Sequence, residues 1–317
     1  WLEQLANEFP KDPNAAEARL KTGDLQFSVE KFVVAQKSYE KFLGDFPTHK
    51  KVDDAYFQLG NVLAAQEKWE AATKRFHAVG ENSEWRTKAL YQSAWCERKA
   101  GRAADAQKNY ETLIANHSES LEAANAKLEL AELEYEAAKY KDAIGRLEKL
   151  IETDPDRRRL ALAQFRLAHC HRRLKDWEKA GEAFQTFLTK NPRHELTRKV
   201  RLGLGRVQIE QGEDDDALRS LSSAVRGGER DEVGAEAQFL RGEIYLAQKK
   251  FDEAIAEYAK LEAFKLFEEW QADGFFGQAL ALEGKGETGK SVEQLKQLLT
   301  EFPDSAAARK AKVKLTP

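Results

Sequence analysis

The segment from Gly284 to Ser291 carries the most specific chemical motif in this sequence. It reads Gly-Lys-Gly-Glu-Thr-Gly-Lys-Ser and matches the phosphate-loop pattern G-x-x-x-x-G-K-[ST]. In such a loop the glycine amides cradle phosphates, the lysine neutralises them and the last hydroxyl holds magnesium. The motif requires a strand before it, whereas the residues from Phe275 to Glu283 have helical spacing. We therefore favour a turn between two helices here and expect no nucleotide or other cofactor.

Two shorter clusters have the residue types of metal sites. In the run His169-Cys170-His171, consecutive helical side chains would point about 100° apart and could not converge on one ion. We expect one or two groove-facing groups and one packing cysteine there. The three aspartates at 214–216 lack the spacing and the glycine of a calcium loop. Acidic residues are favourable at the start of a helix, which is where we place them.

Cys96 and Cys170 are the only cysteines of the chain. They occupy equivalent places in repeats that are two units apart, and neighbouring helices pack about 8–10 Å apart. We therefore expect two inert packing thiols beyond disulfide reach. The sequence shows no pairing of a nucleophile with a base, so we expect no enzymatic activity and no metal site in this chain.

A repeated triplet organises the whole sequence. It consists of an alanine, an aromatic residue or leucine four places later, and an apolar residue three places after that. The triplets begin at residues 35, 72, 106, 143, 180, 217, 254 and 291, where Ser291 replaces the alanine. The steps are 37 residues except for one of 34, and spacings of three and four are helical. Each unit therefore predicts helix A, a turn, helix B and a turn, and the fold class is all-α.

Other recurring residues support these hairpins. Helix A carries a small residue, such as Gly23, Gly60 or Gly242, where we expect the alanine of helix B to pack. Gly101 and Gly212 fall in the A–B turn, where a left-handed backbone favours glycine. An apolar ladder recurs once per unit, and we expect it to be core rather than ligand surface; it comprises Leu20, Phe57, Tyr91, Leu128, Phe165, Leu202, Phe239 and Phe276.

These residues resemble the tetratricopeptide repeat family, most clearly between Asp53 and Glu84. The resemblance covers essentially the whole chain and implies an α–α superhelix, a right-handed solenoid of about eight helical hairpins. It divides the chain into the second half of a truncated repeat (residues 1–13), eight repeats (14–305) and the start of a further repeat or a capping helix (306–317). Both ends therefore suggest a segment of a longer array.

The long units and the Phe-Pro pairs at their junctions resemble bacterial envelope members of the family. Examples are the outer-membrane β-barrel assembly lipoprotein and the Tol-Pal coordinator. The sequence itself leaves the compartment open, and this resemblance favours the periplasm or the outer membrane over the cytoplasm. No apolar run is long enough to span a membrane.

In this family the A helices line a concave groove along which partners lie. The groove positions predict a binding surface composed of Gln92, Trp95, Arg98, Glu132, Tyr135, Arg166, His169, Arg172, Arg173, Lys199 and Arg206. Residues 157–206 contain 14 basic and 4 acidic residues, whereas residues 207–274 contain 8 basic and 17 acidic ones. An arginine-rich strip of this kind could bind an acidic segment or a free carboxylate. Alternatively, the charges pair with acids on neighbouring repeats.

The leading functional hypothesis is a protein–protein interaction scaffold that binds a peptide or partner protein in this groove. One alternative is an RNA- or polyanion-binding repeat protein. We do not expect nucleic acid, because the groove positions do not recur as a base-reading code would. Another alternative is the regulatory arm of a larger protein whose enzymatic domain lies elsewhere. The sequence does not fix the oligomeric state.

Overall fold

The computed structural model describes residues 13–226 and 230–316, and the predicted helix end at Leu2, Leu5 and Phe9 lies outside them. The regular structure of the described residues is entirely helical. The helices are α1 (Pro13–Ser28), α2 (Phe32–Asp45), α3 (Val52–Ala65), α4 (Trp69–His77), α5 (Arg86–Lys99), α6 (Ala103–Asn116), α7 (Leu121–Glu136), α8 (Tyr140–Thr153), α9 (Arg157–Arg173), α10 (Trp177–Lys190), α11 (Thr197–Gln211), α12 (Asp214–Val225), α13 (Glu232–Ala247), α14 (Phe251–Ala259), α15 (Glu268–Gly284), α16 (Thr288–Glu301) and α17 (Ala306–Leu315). A 3-10 helix (Lys260–Ala263) extends α14.

These helices pair as eight hairpins, from α1–α2 to α15–α16, and α17 follows the last one. The described residues up to Arg159 form one compact unit, and those from Leu160 form a second. Four of the A helices, including α17, begin at a side-chain cap, with Ser120, Asp156, Asp231 and Ser305 accepting a backbone N–H three residues later.

Every A–B turn contains one residue in the left-handed conformation. Three of the eight are glycines, with φ between 76° and 87°, and the other five are not, with φ between 58° and 60°. They are Glu30, Glu67, Gly101, Ala138, Lys175, Gly212, Lys249 and Gly286. At Glu67 the backbone bonds Lys68 N–H to Leu63 O and Glu67 N–H to Ala64 O close the turn, as in a Schellman motif. The left-handed conformation therefore recurs at the same place in the repeat even where the residue is not glycine.

The phosphate-loop motif lies in the last of these turns. Gly286 has φ of 87°, Gly284 ends α15, and Ser291 is buried in α16 with its hydroxyl donating to Ala279 O at 2.7 Å. The Lys285 ammonium lies 2.6 Å from an Asp252 oxygen. A helix precedes the motif, as expected. Gly284, Gly286 and Ser291 of the motif form the end of α15, the turn and a buried position of α16.

The predicted triplets form the core. Each of their 24 residues is buried, including the aromatic rings of Tyr39, Phe76, Tyr110, Phe184 and Tyr258. In the apolar ladder four members are buried and four are half-buried against a core cluster, which confirms the prediction that the ladder is core rather than open surface.

The packing partner of the small residue in helix A differs from the prediction. A Cβ atom at Gly60 would lie 2.4 Å from the Phe76 ring, and one at Gly242 would lie 2.5 Å from the Tyr258 ring. The large middle residue of the triplet, rather than its alanine, therefore covers the small residue. The reason is reach, because a ring spans the distance between two helix axes and an alanine methyl does not.

The non-glycine turns generate a stability prediction. Lys249→Gly should stabilise the chain by about 0.5–1 kcal/mol, because an L-residue in the left-handed region pays a steric cost that glycine avoids. The readout is the urea midpoint of the helical circular dichroism signal. Lys296→Gly is the matched control, since Lys296 is exposed within α16, and it should destabilise by about 1 kcal/mol. Equal losses in both variants would contradict the prediction.

Candidate functional site

The eleven predicted groove residues lie on four A helices, two in the first compact unit and two in the second. Gln92, Trp95 and Arg98 lie on α5, and Glu132 and Tyr135 lie on α7, all in the first unit. In the second unit α9 carries Arg166, His169, Arg172 and Arg173, and α11 carries Lys199 and Arg206. Most of these side chains are half-buried, whereas Arg173 and Lys199 are exposed.

Arg98 in the first unit is held by the next hairpin. Its guanidinium lies 2.6 Å from Glu129 and also binds Glu136, both on α7. The Tyr91 hydroxyl donates to Glu129 at 3.2 Å. Burial alone would lower the pKa of Arg98, but the hydrogen bond to Glu136 and the charge of Glu129 raise it. Arg98 therefore has the neighbour-paired arrangement that we considered as the alternative to a carboxylate clamp.

The aromatic groove residues of the first unit, Trp95 and Tyr135, pack edge-on against aromatic residues that begin B helices. The Trp95 ring lies 5.4 Å from Trp69, and the Lys99 ammonium lies 5.4 Å from the centre of the Trp95 ring. The Tyr135 ring lies 5.4 Å from Tyr140. Because Trp95 and Tyr135 remain partly exposed, they offer amphipathic contact area of the kind enriched at interfaces.

Trp95 also stands where other hairpins place an acid. The Tyr39 hydroxyl donates to Asp24, 15 residues earlier, at 2.6 Å, and Tyr258 donates to Glu243 in the same relation. Trp95 is the residue 15 places before Tyr110. The Tyr110 hydroxyl is buried without a hydrogen-bond partner among the described residues. Sequence reasoning missed this relation, although an acid 15 places before a core tyrosine is a readable signal.

Two phenylalanines enclose the imidazole of His169 in the second unit. Phe165 lies 4.4 Å and Phe184 lies 5.2 Å from it, centre to centre. Burial first, and then the positive charges of Arg172 and Arg166, lower the pKa of His169 to about 3. Its imidazole is therefore neutral at physiological pH, with the charge of the surface carried by the arginines around it.

Arg206 on α11 lies close to the arginines at the end of α9. Its guanidinium contacts the Glu236 carboxylate. Its pKa nevertheless lies below the ordinary value, because burial and the nearby charges of Arg172 and Arg173 oppose protonation. A small cavity of about 240 Å³ adjoins the cluster, lined by Arg172, Arg206 and the apolar side chains of Trp177, Ile209 and Leu240, with Glu210 at its edge.

The residues of the two clusters with metal-site composition, His169-Cys170-His171 and the aspartates at 214–216, do not converge on one point. Cys170 is buried, and His171 Nδ1 lies 3.3 Å from an Asp176 oxygen. The three aspartates at 214–216 form the first turn of α12, as predicted. Burial raises the pKa of the other thiol, Cys96, to about 12. Among the described residues no group of three acidic, histidine or cysteine side chains could hold a metal ion.

Within the part of the chain that the structure describes, no helix is long and apolar enough to cross a membrane.

The tyrosine pattern generates a second prediction. Tyr110→Phe should stabilise the chain by about 1 kcal/mol, because it removes a buried hydroxyl without a protein partner. Tyr39→Phe should destabilise it by about 1 kcal/mol, because it breaks the bond to Asp24. The two variants make the same chemical change, and their urea midpoints provide the comparison. A loss of stability in both would show that the Tyr110 hydroxyl is bonded in solution.

Family profiles match most of the chain. A profile described as "Tetratricopeptide repeat-like domain" matches residues 74–180 and 170–269, and one described as "Tetratricopeptide repeat" matches residues 273–305. A search of curated proteins found no significant match.

Solved structures of repeat proteins resemble the fold. A tetratricopeptide repeat protein from Parabacteroides merdae aligns with a TM-score of 0.58 and 17% identity over 84% of this chain and 98% of its own. Pseudomonas aeruginosa pilF aligns with a TM-score of 0.53 and 19% identity over 68% and 96%. YrrB, described as a TPR protein with an unusual peptide-binding site, aligns with a TM-score of 0.49 and 22% identity over 64% and 97%. These likenesses concern the fold, whereas the profiles match more than half of the sequence. The chain therefore belongs to the tetratricopeptide repeat family.

Proposed function

We propose that this chain is a protein–protein interaction scaffold whose second unit binds an acidic segment or a free carboxylate of a partner. The repeat family and its fold support the scaffold role in general terms. The specific proposal concerns the basic cluster, which we define as Arg166, Arg172 and Arg173 of α9 together with Arg206 of α11.

The observation that carries this proposal is the state of Arg206. Its guanidinium contacts Glu236 and also lies close enough to Arg172 and Arg173 for their charges, after burial, to lower its pKa. A carboxylate bound beside Arg206 would be attracted by several guanidinium groups at once. Guanidinium groups are suited to that role, because they can bind a carboxylate through two parallel hydrogen bonds.

The cavity beside the cluster supports a peptide in preference to an isolated anion. Trp177, Ile209 and Leu240 supply apolar walls next to Arg172 and Arg206. A side chain adjacent to the bound carboxylate could fill this space, so that charge gives orientation and apolar contact gives affinity.

The test uses the double variant Arg172→Glu/Arg173→Glu. The probes are fluorescent peptides rich in Asp, Glu and Leu, with a free C-terminus or an amide, and the readout is fluorescence anisotropy at two salt concentrations. Binding should weaken roughly tenfold or more, because the variant places two negative charges at the carboxylate site.

The matched control is Lys179→Glu/Arg219→Glu, which changes the net charge equally at exposed residues of α10 and α12. This control should bind the acidic peptides like the unaltered chain. Equal binding by the Arg172/Arg173 variant would reject the proposal. Tighter binding of single-stranded RNA than of acidic peptide, with a steep salt dependence, would favour the polyanion alternative instead.

A further inference from the structure

A second opening of the second unit lies between α10 and α11. This cleft has a volume of about 770 Å³. Its wall is the stripe of α10 from Glu178 to Lys190, its floor is Leu204, Gln208 and Gln211 of α11, and Glu213 closes one end at the start of α12. It shares no residue with the basic cluster.

The cleft lies beside Gly181, where the neighbouring units have a larger residue. The residue after the leading alanine or serine is polar in the first three units, Gln36, Thr73 and Gln107. It is aliphatic in the unit before Gly181 and in the three units after it: Ile144, Leu218, Ile255 and Val292. Leu218 packs against the core cluster that contains Ile244, and Ile255 against the one that contains Ala281. The equivalent of Ile244 and Ala281 in this place is Val207, which faces Gly181 across the cleft.

Nothing in the local packing requires glycine at this position. Its φ is not in the left-handed region, and a Cβ atom would lie 3.7 Å from Val207 Cγ1 and 3.9 Å from Gln211 Oε1. Those are ordinary contacts, in contrast to the overlaps at Gly60 and Gly242. A glycine within a helix costs about 1 kcal/mol relative to alanine. The opening is thus made at the expense of stability.

The charges of the cleft are unequally distributed. Glu178, Glu182 and Glu213 are exposed, and none of them forms an ion pair with any residue that the structure describes. They lie where α10 and α12 begin, and the aspartates at 214–216 add to the negative charge there. Lys190 lies at the opposite end of the cleft. A cationic group would therefore be attracted to the end marked by Glu178 and Glu213.

We propose that this cleft binds an extended segment of a partner protein that carries a lysine or arginine. The cation lies among Glu178, Glu182 and Glu213, and a neighbouring apolar side chain occupies the space beside Gly181, against Val207 and Leu204. The stripe of α10 is about 18 Å long at 1.5 Å per residue, which matches about five extended residues. Glutamine and threonine side chains of the cleft can bond to the backbone of such a segment.

The test begins with a phage-displayed library of random linear peptides selected on the full chain. Enriched peptides should carry a basic residue next to an aliphatic one. A synthetic copy of an enriched peptide is then titrated calorimetrically into the unaltered chain and into Gly181→Ile. The isoleucine occupies the space beside Val207, so the affinity of the variant for the peptide should fall about tenfold or more. The helical signal should be kept and the urea midpoint should rise.

Gly145→Ile is the matched control, because Gly145 lies on α8 with no atom within 4 Å of a built Cβ. It should leave peptide affinity unchanged. Glu178→Gln/Glu182→Gln alters only exposed side chains, and it should weaken binding and flatten its salt dependence. Arg172→Glu/Arg173→Glu should have no effect, which separates this site from the basic cluster. The proposal is wrong if no selected peptide is sensitive to Gly181→Ile, or if the sensitive peptides are acidic.

Discussion

A large side chain at the centre of helix B, laid over a glycine of helix A, is the contact on which four of the eight hairpins depend. Tyr39, Phe76, Leu221 and Tyr258 each cover a glycine of their own hairpin, at distances that leave no room for another carbon atom. Tyr258 also lies against Gly277 of the next hairpin, where a Cβ atom would be 2.6 Å from the ring. The same ring thus joins the two helices of one hairpin and links that hairpin to the following one. In these four hairpins the contact fixes which face of helix A is buried.

The surfaces that we propose for binding lie close to places where the repeated pattern changes. At Trp95 an indole replaces the acid that satisfies the tyrosine hydroxyl in two other hairpins. At Arg206 one guanidinium group lies near two others and contacts Glu236. At Gly181 a side chain is missing beside a cleft whose carboxylates form no ion pair with any described residue.

The period of the sequence was sufficient to predict the hairpins, their turns and the buried triplets, because helical spacing and left-handed turn positions are local properties. It also explained why Gly284 to Ser291 is a turn. It did not reveal which side chain covers Gly60, since that depends on the distance between helix axes. The carboxylates that hold Arg98 come from the next hairpin, and a groove position alone does not identify such partners. The sequence does carry a signal for the cleft at Gly181, because the aliphatic residues at 144, 218, 255 and 292 make that glycine an exception from the fourth unit onward.

The contact between Phe76 and Gly60 can be tested directly through the urea midpoint of Gly60→Leu compared with that of Gly145→Leu. Both variants replace a helical glycine by the same good helix former, but only Gly60 lies under an aromatic ring. We predict that Gly60→Leu destabilises the chain by about 1–3 kcal/mol through overpacking, whereas Gly145→Leu gains about 0.5–1 kcal/mol from helix propensity. Equal midpoints for the two variants would contradict the claim that these ring-over-glycine contacts hold the hairpins together.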